Sequence, residues 1–207
     1  MRALFVHGMG RTPISAWPLL WKLKRGGLSP ESFAYFTPVE SFASIERRLI
    51  SRITALAAQG DYVVIGHSLG GVLLRSALKS LPSGLRRPRH IFLLASPIYP
   101  SRLAQRLSSN ILYKAITGDC GQFLASGSRM EEIGSASDPI TAIVGVRGFS
   151  LKCAPFHGEP NDGVVAVSEV SAEWLRDQER IDEMHTLIPA SRRVGEIILR
   201  KLFQHAP

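Results

Sequence analysis

A serine flanked by glycines stands at Gly66-His67-Ser68-Leu69-Gly70, directly after the apolar run Tyr62-Val63-Val64-Ile65. The G-x-S-x-G pattern between a strand and a helix has a definite chemical meaning. Small flanking residues permit a tight turn that lifts the hydroxyl above a sheet, and the amides at the helix start then face a reacting carbonyl. The pentapeptide alone is a weak signal, and an ordinary structural turn is the alternative. Its strand–turn–helix setting favours a nucleophile at Ser68. A free serine hydroxyl attacks poorly, so it needs a base, and the base needs an acid to orient it.

The elements that must position such a serine can be read from periodicity. Ala3 to Val6 predicts a buried strand that ends in the turn His7-Gly8-Met9-Gly10. A short helix follows from about Pro18, which suits a first helical position, to Lys24. Phe33 to Phe36 predicts a second strand, closed by Pro38. Ser41 is placed to cap a helix reaching about Ala58, in which Ile45, Leu49, Ile53 and Leu56 share one face. Tyr62 to Ile65 reads as a central strand covered on both sides. Leu69 to Lys79 is predicted helical, His90 to Leu94 and Ile140 to Val146 are further strands, and Arg180 to Met184 is a weaker one. A last helix covers about Ser191 to Phe203, with Val194, Ile197, Ile198 and Leu202 inward.

Strands alternating with helices imply an α/β fold: a mostly parallel sheet with helices on both faces. Residues 97–138 break the alternation. Tyr99, Leu103, Leu107 and Ile111 form a stripe at helical spacing, and a glycine- and serine-rich stretch from Gly118 to Ser137 follows without strong periodicity. This segment reads as a cap-like excursion over the sheet within a single domain spanning 1–207. Its stripe either covers an apolar acyl pocket or packs as ordinary core.

Three segments together resemble the α/β-hydrolase fold family, in particular its small lipase-like and esterase-like members. They are Val6-His7-Gly8-Met9-Gly10, Gly66-His67-Ser68-Leu69-Gly70-Gly71, and Asn161-Asp162-Gly163-Val164-Val165 followed by His185. In that fold the triad runs serine, acid, histidine along the chain. Of the six histidines, His90, His157, His185 and His205 follow Ser68. His90 begins a strand, at the far end of the sheet, and His205 lies in the tail. His185 follows the last strand, where the family's catalytic histidine sits, and His157 is the alternative. Asp162 follows the Ile140–Val146 strand and suits the acid, its other reading being a turn aspartate before Gly163. Asp138 precedes that strand, Asp119 belongs to the excursion, and Asp177 and Asp182 read as exposed charges. The resemblance also implies backbone N–H donors for an oxyanion at Met9 and Leu69. His7 and His67 read as packing or hydrogen-bonding residues beneath the site.

The chain has 25 Lys and Arg against 17 Asp and Glu, a net charge of +8. That balance favours anionic partners such as a phospholipid surface, although a solvated basic face explains it too. No aromatic interleaving or motif points to nucleic acid. No histidine, cysteine or carboxylate cluster has metal-ligand spacing, and no phosphate loop is present, so no cofactor is implied. Cys120 and Cys153 form no disulfide framework. The first apolar stretch is too short for a secretory signal, and no run is long enough for a membrane span. These features together read as a cytoplasmic protein with reduced thiols. The expected activity is hydrolysis of a small-molecule or lipid carboxylic ester through an acyl-enzyme. A thioesterase, amidase or acyltransferase would use the same triad, and a non-catalytic binding module on this scaffold is the remaining alternative.

Overall fold

The first strand, β1 (Arg2–Val6), sends alternate side chains into two different cores, and this sets the layering of the molecule. Leu4 and Val6 pack into one apolar cluster, Ala3 and Phe5 into the other. The computed structural model describes residues 1–135, 137–148, 154–175 and 177–203. Cys153 and His205 lie outside the described residues.

After β1 come α1 (Trp17–Arg25), β2 (Ser29–Phe33), α2 (Phe42–Ala57), β3 (Tyr62–His67), α3 (Leu69–Lys79) and β4 (Ile91–Leu94). Then follow α4 (Arg102–Leu107), α5 (Ile111–Ala125), α6 (Gly127–Ile133), β5 (Ile140–Gly145), β6 (Asp177–Ile181) and α7 (Arg192–Phe203). The strands form one six-stranded sheet in the order β2-β1-β3-β4-β5-β6, and every neighbouring pair is parallel. Helices α2 and α3 cover one face, together with residues of α4 to α6, and α1 and α7 cover the other. The strand order reverses between β1 and β3, and a crevice opens at the carboxyl ends of strands at such a point. The turn after β1 and the turn after β3 both lie there.

The central strands match expectation because both faces are buried: all six residues of β3 and of β5 are buried. The two edge strands differ. The second strand is Ser29–Phe33 and not Phe33–Phe36, in register from Arg2 opposite Ser29 to Val6 opposite Phe33. At an edge one side of the strand needs no partner, so polar residues and Pro30 are tolerated. The apolar Phe33–Phe36 run is mostly the chain leaving the sheet, with Tyr35 buried and Phe36 exposed. On the other edge, β6 begins at Asp177 and ends at Ile181, earlier than the predicted Arg180–Met184. Asp177 is therefore not a free surface charge: it accepts from the Thr141 hydroxyl at 2.9 Å and pairs with Lys201 at 2.8 Å.

The excursion contains more helix than its composition suggests. Asn110 caps α5 through Tyr113 N–H, and Ser126 caps α6 through Arg129 N–H. Gly118 (φ 56°, ψ −148°) kinks α5, and a β-carbon there would lie 2.4 Å from the carbonyl oxygen of Thr37. Only glycine permits that approach, and the kink is what erases the periodicity. The expected stripe is split accordingly. Tyr99 precedes α4, and Ile111 opens α5 with 84% of its surface exposed.

Candidate active site

The turn after β3 carries Ser68 in a conformation that serine rarely adopts, φ 52° and ψ −124°. Such strain persists only where the surroundings over-determine it. Here Ser68 N–H donates to the Leu94 carbonyl at 2.9 Å, and its own carbonyl accepts from Gly71 N–H at 3.0 Å. The glycines around it are dictated by close approach. A β-carbon on Gly66 would lie 2.4 Å from Gly71 Cα, and one on Gly70 would lie 2.2 Å from the Val6 carbonyl oxygen. Helix α3 thus starts against the ends of β1 and β3.

Asp162 and His185 meet as a buried pair. Asp162 Oδ2 lies 2.7 Å from His185 Nδ1, and the two residues are 1% and 6% exposed. Asp162 Oδ1 accepts from the N–H groups of Val164 and Val165, at 3.0 and 2.9 Å. His185 N–H also donates to the Asp162 carbonyl at 2.9 Å. Both carboxylate oxygens are therefore committed, and the acid is held by backbone as well as by side chain. A carboxylate only accepts, so His185 Nδ1 carries the proton and Nε2 is the free basic nitrogen.

Ser68, Met9, Val164 and Val165 line one cleft of about 70 Å³, closed by Pro97, Leu103, Tyr113 and Leu124 among others. The Val164–Val165 segment links that cleft to the Asp162–His185 pair. The Ser68 hydroxyl makes no hydrogen bond to a described residue: the structure joins Asp162 to His185 directly, whereas Ser68 lines the cleft beside Val164 and Val165 and follows His67, whose ring lies 4.8 Å from that of His185. Of the expected stripe, only Leu103 faces this cleft. Met9 sits in a turn closed by Arg11 N–H on the Gly8 carbonyl, and its own N–H donates to no backbone carbonyl among the described residues. Leu69 opens α3, where no carbonyl one turn back is available to its N–H.

The other candidates lie elsewhere. His90 bonds the Thr141 hydroxyl at the opposite end of the sheet, and His157 is an exposed turn residue. Asp138 pairs with Arg87, and Asp119 both pairs with Arg129 and accepts from Phe42 N–H. His7 and His67 support the site from below. His7 Nδ1–H donates to the Gly8 carbonyl at 2.9 Å while Nε2 accepts from Tyr35 N–H at 3.4 Å, and the His7 and Tyr35 rings stack at 4.2 Å. Burial holds the His7 imidazole below its ordinary pKa. Burial, then the neighbouring His185, holds His67 further below. Both rings are neutral at pH 7, and the hydrogen bonds they make go to backbone groups, which suits supports.

Two supporting residues gave no sign in the sequence. The Tyr35 hydroxyl donates to the His7 carbonyl at 2.6 Å, which fixes the turn carrying Met9. Glu169 is 3% exposed and accepts from Ala166 N–H at 2.7 Å and Arg102 N–H at 2.8 Å. It thereby ties the chain after Asp162 to the start of α4. Only their contacts reveal them, since a lone tyrosine or glutamate carries no motif. Among the described residues no group of three or more His, Cys, Asp or Glu side chains is placed to hold a metal ion, and no helix is long and apolar enough to cross a membrane.

Comparison with known proteins bears on the fold and the family. Residues 3–192 match the sequence model described as the alpha/beta hydrolase family. No curated protein sequence matches the chain. Among solved structures, the mature form of the Bacillus licheniformis lipase BlEst2 is similar at a TM-score of 0.76 and 15% identity, over 97% of this chain and 91% of that one. The metagenomic carboxyl esterase MGS0156 is similar at a TM-score of 0.75 and 16% identity, over 100% of this chain and 76% of that one. The RedJ thioesterase of the prodiginine pathway of Streptomyces coelicolor is similar at a TM-score of 0.62 and 16% identity, over 100% and 90%. At such identities the likeness is one of fold.

Proposed function

The chain belongs to the alpha/beta hydrolase family, and from that premise we propose that it is a serine hydrolase that cleaves small carboxylic esters through an acyl-enzyme on Ser68. The observation that carries the reading is the strained backbone of Ser68, which lines a cleft, φ 52° in a non-glycine residue. Strain of this kind costs on the order of 1–3 kcal/mol and is characteristic of functional turns.

In this mechanism His185 Nε2 takes the Ser68 proton as Oγ attacks the ester carbonyl. Asp162 holds the ring in the required tautomer and stabilises the imidazolium that forms. The N–H groups of Leu69 and Met9 receive the developing oxyanion. His185 then protonates the leaving alkoxide, and a water activated by the same base releases the carboxylic acid. Closing the gap between Ser68 and His185 on substrate binding is ordinary for such sites, whose hydrogen bonds tighten in the bound complex.

The cleft favours short acyl groups. Its volume of about 70 Å³ lies far below the roughly 300–1,000 Å³ common for larger ligands, and its walls are mostly apolar. A fluorophosphonate probe should label the folded wild-type protein at Ser68 and leave Ser68→Ala unlabelled. Absence of labelling in wild type, or equal labelling of the variant, overturns the proposal and favours a binding module on a hydrolase scaffold.

A further inference from the structure

Arg75 stands two turns beyond Ser68 on α3 and is a buried cation that no acid meets among the described residues. The residue is 4% exposed. Its Nη2 donates to the Gly134 carbonyl at 2.6 Å, Nη1 reaches the Pro97 carbonyl only at 3.5 Å, and Nε has no hydrogen-bond partner. The guanidinium carbon lies 5.3 Å from the centre of the Trp174 ring. Among the described residues no carboxylate pairs with it, whereas Arg87 and Arg129 meet Asp138 and Asp119. A guanidinium carries five N–H donors, and two carbonyls and one ring are poor compensation for burying its charge. Burial draws its pKa down to about 10, so it remains cationic at neutral pH.

A cavity of about 310 Å³ opens on this side chain, with Ile98, Met130 and Trp174 as apolar walls and Tyr99 and Ser135 at its rim. We propose that it is a second ligand site, separate from the Ser68 cleft, for a small carboxylate bearing a short apolar chain. The carboxylate takes the uncommitted N–H groups of Arg75 in place of the long contact to Pro97, and the chain lies against Ile98, Met130 and Trp174. A planar guanidinium matches a carboxylate through two parallel hydrogen bonds. A phosphate dianion fits less well, because Arg75 is the one cation among the described lining residues and Glu131 also faces the cavity. The volume lies at the lower end of the range for small-molecule pockets, roughly 300–1,000 Å³. The site stands independently of the reading of Ser68.

Octanoate is a suitable probe, titrated calorimetrically into the full chain beside octanol, which has the same chain and no charge. Four proteins separate the outcomes: wild type, Arg75→Met, Ser135→Trp at the exposed rim of the cavity, and Leu103→Trp in the Ser68 cleft. Octanoate should bind wild type and Leu103→Trp alike, and bind Arg75→Met and Ser135→Trp about tenfold more weakly or worse, as should octanol to wild type. Should Arg75→Met fail to fold, Ser135→Trp carries the comparison. No octanoate binding, equal binding of octanol, or loss in Leu103→Trp alone overturns the assignment; the last result moves the ligand to the Ser68 cleft.

Discussion

His67 Nε2 lies 3.0 Å from the backbone carbonyl oxygen of His185, so the residue just before the candidate nucleophile holds the segment that carries the candidate base. The two rings lie 4.8 Å apart at 44°. A carbonyl only accepts, so the proton sits on His67 Nε2 and Nδ1 is bare, buried and without a partner. A β-carbon on Gly8 would approach that nitrogen to 2.8 Å, so the turn after β1 presses on the same ring. One neutral imidazole thus spaces the three chain segments that bear Met9, Ser68 and His185.

This arrangement makes stability pH-dependent. The pKa of His67 in the folded state lies well below its unfolded value of about 6.5, through burial first and His185 second. The unfolded chain therefore binds the proton more readily, and the contribution of His67 is complete above about pH 6.5 and lost as pH falls further. Melting temperature should drop from about pH 7.5 to about pH 5.5, and less steeply in His67→Gln. Some slope should survive in the variant, because burial lowers His7 and His90 too. An unchanged slope in His67→Gln would remove His67 as its source.

Asp162→Asn tests the orienting role of the acid. An asparagine whose carbonyl accepts from Val164 and Val165 N–H turns its NH₂ toward His185 Nδ1, which favours the wrong tautomer. Turnover of a p-nitrophenyl ester should fall on the order of 10,000-fold with KM little changed, in a protein that keeps its far-UV spectrum. Activity within about tenfold of wild type would rule out Asp162 as the orienting acid.

Gly70 and Gly127 predict opposite responses to alanine. At Gly70 the added carbon meets the backbone of Val6 at 2.2 Å, and no side chain is there to move aside. Urea titration should show Gly70→Ala destabilised by about 1–3 kcal/mol. At Gly127 nothing lies within 4 Å, and alanine favours a helix, so Gly127→Ala should be neutral or slightly stabilising. Equal effects at the two sites would contradict the close approach of α3 to β1.

What could be read from the sequence follows physical rules that these positions illustrate. β3 was legible because both its faces are buried, which leaves a continuous apolar run, and Ser68 because the turn chemistry is contiguous in the chain. Edge strands have no such run: the sequences of β2 and β6, SPESF and DQERI, are mostly polar, and the apolar pattern points a few residues beyond them. The helices α5 and α6 were hidden by Gly118 and by the Gly-Ser start of α6, where the caps at Asn110 and Ser126 do the specifying. Asp162 and His185 could be placed by chain order, but their hydrogen bond spans 23 residues and follows only from the fold. Tyr35, Glu169 and Arg75 bind backbone atoms far along the chain, and no local pattern announces such contacts.

The size of the cleft sets the last expectation. Leu103 is the residue of the excursion's stripe that reaches the Ser68 cleft, beside Tyr113 and Leu124, while Leu107 does not line it. Wild type should hydrolyse p-nitrophenyl acetate and butyrate best and lose kcat/KM steeply toward the octanoate. Leu103→Ala removes a wall of the cleft and should raise kcat/KM for the octanoate by about tenfold while lowering it for the acetate, because filling a pocket is worth about 1–3 kcal/mol per methylene. Leu107→Ala serves as the control, since it trims the same helix without touching the cleft. If both variants keep the wild-type chain-length profile, or if wild type prefers the octanoate from the start, the acyl group does not lie along Leu103 and its pocket must be sought on another side of Ser68.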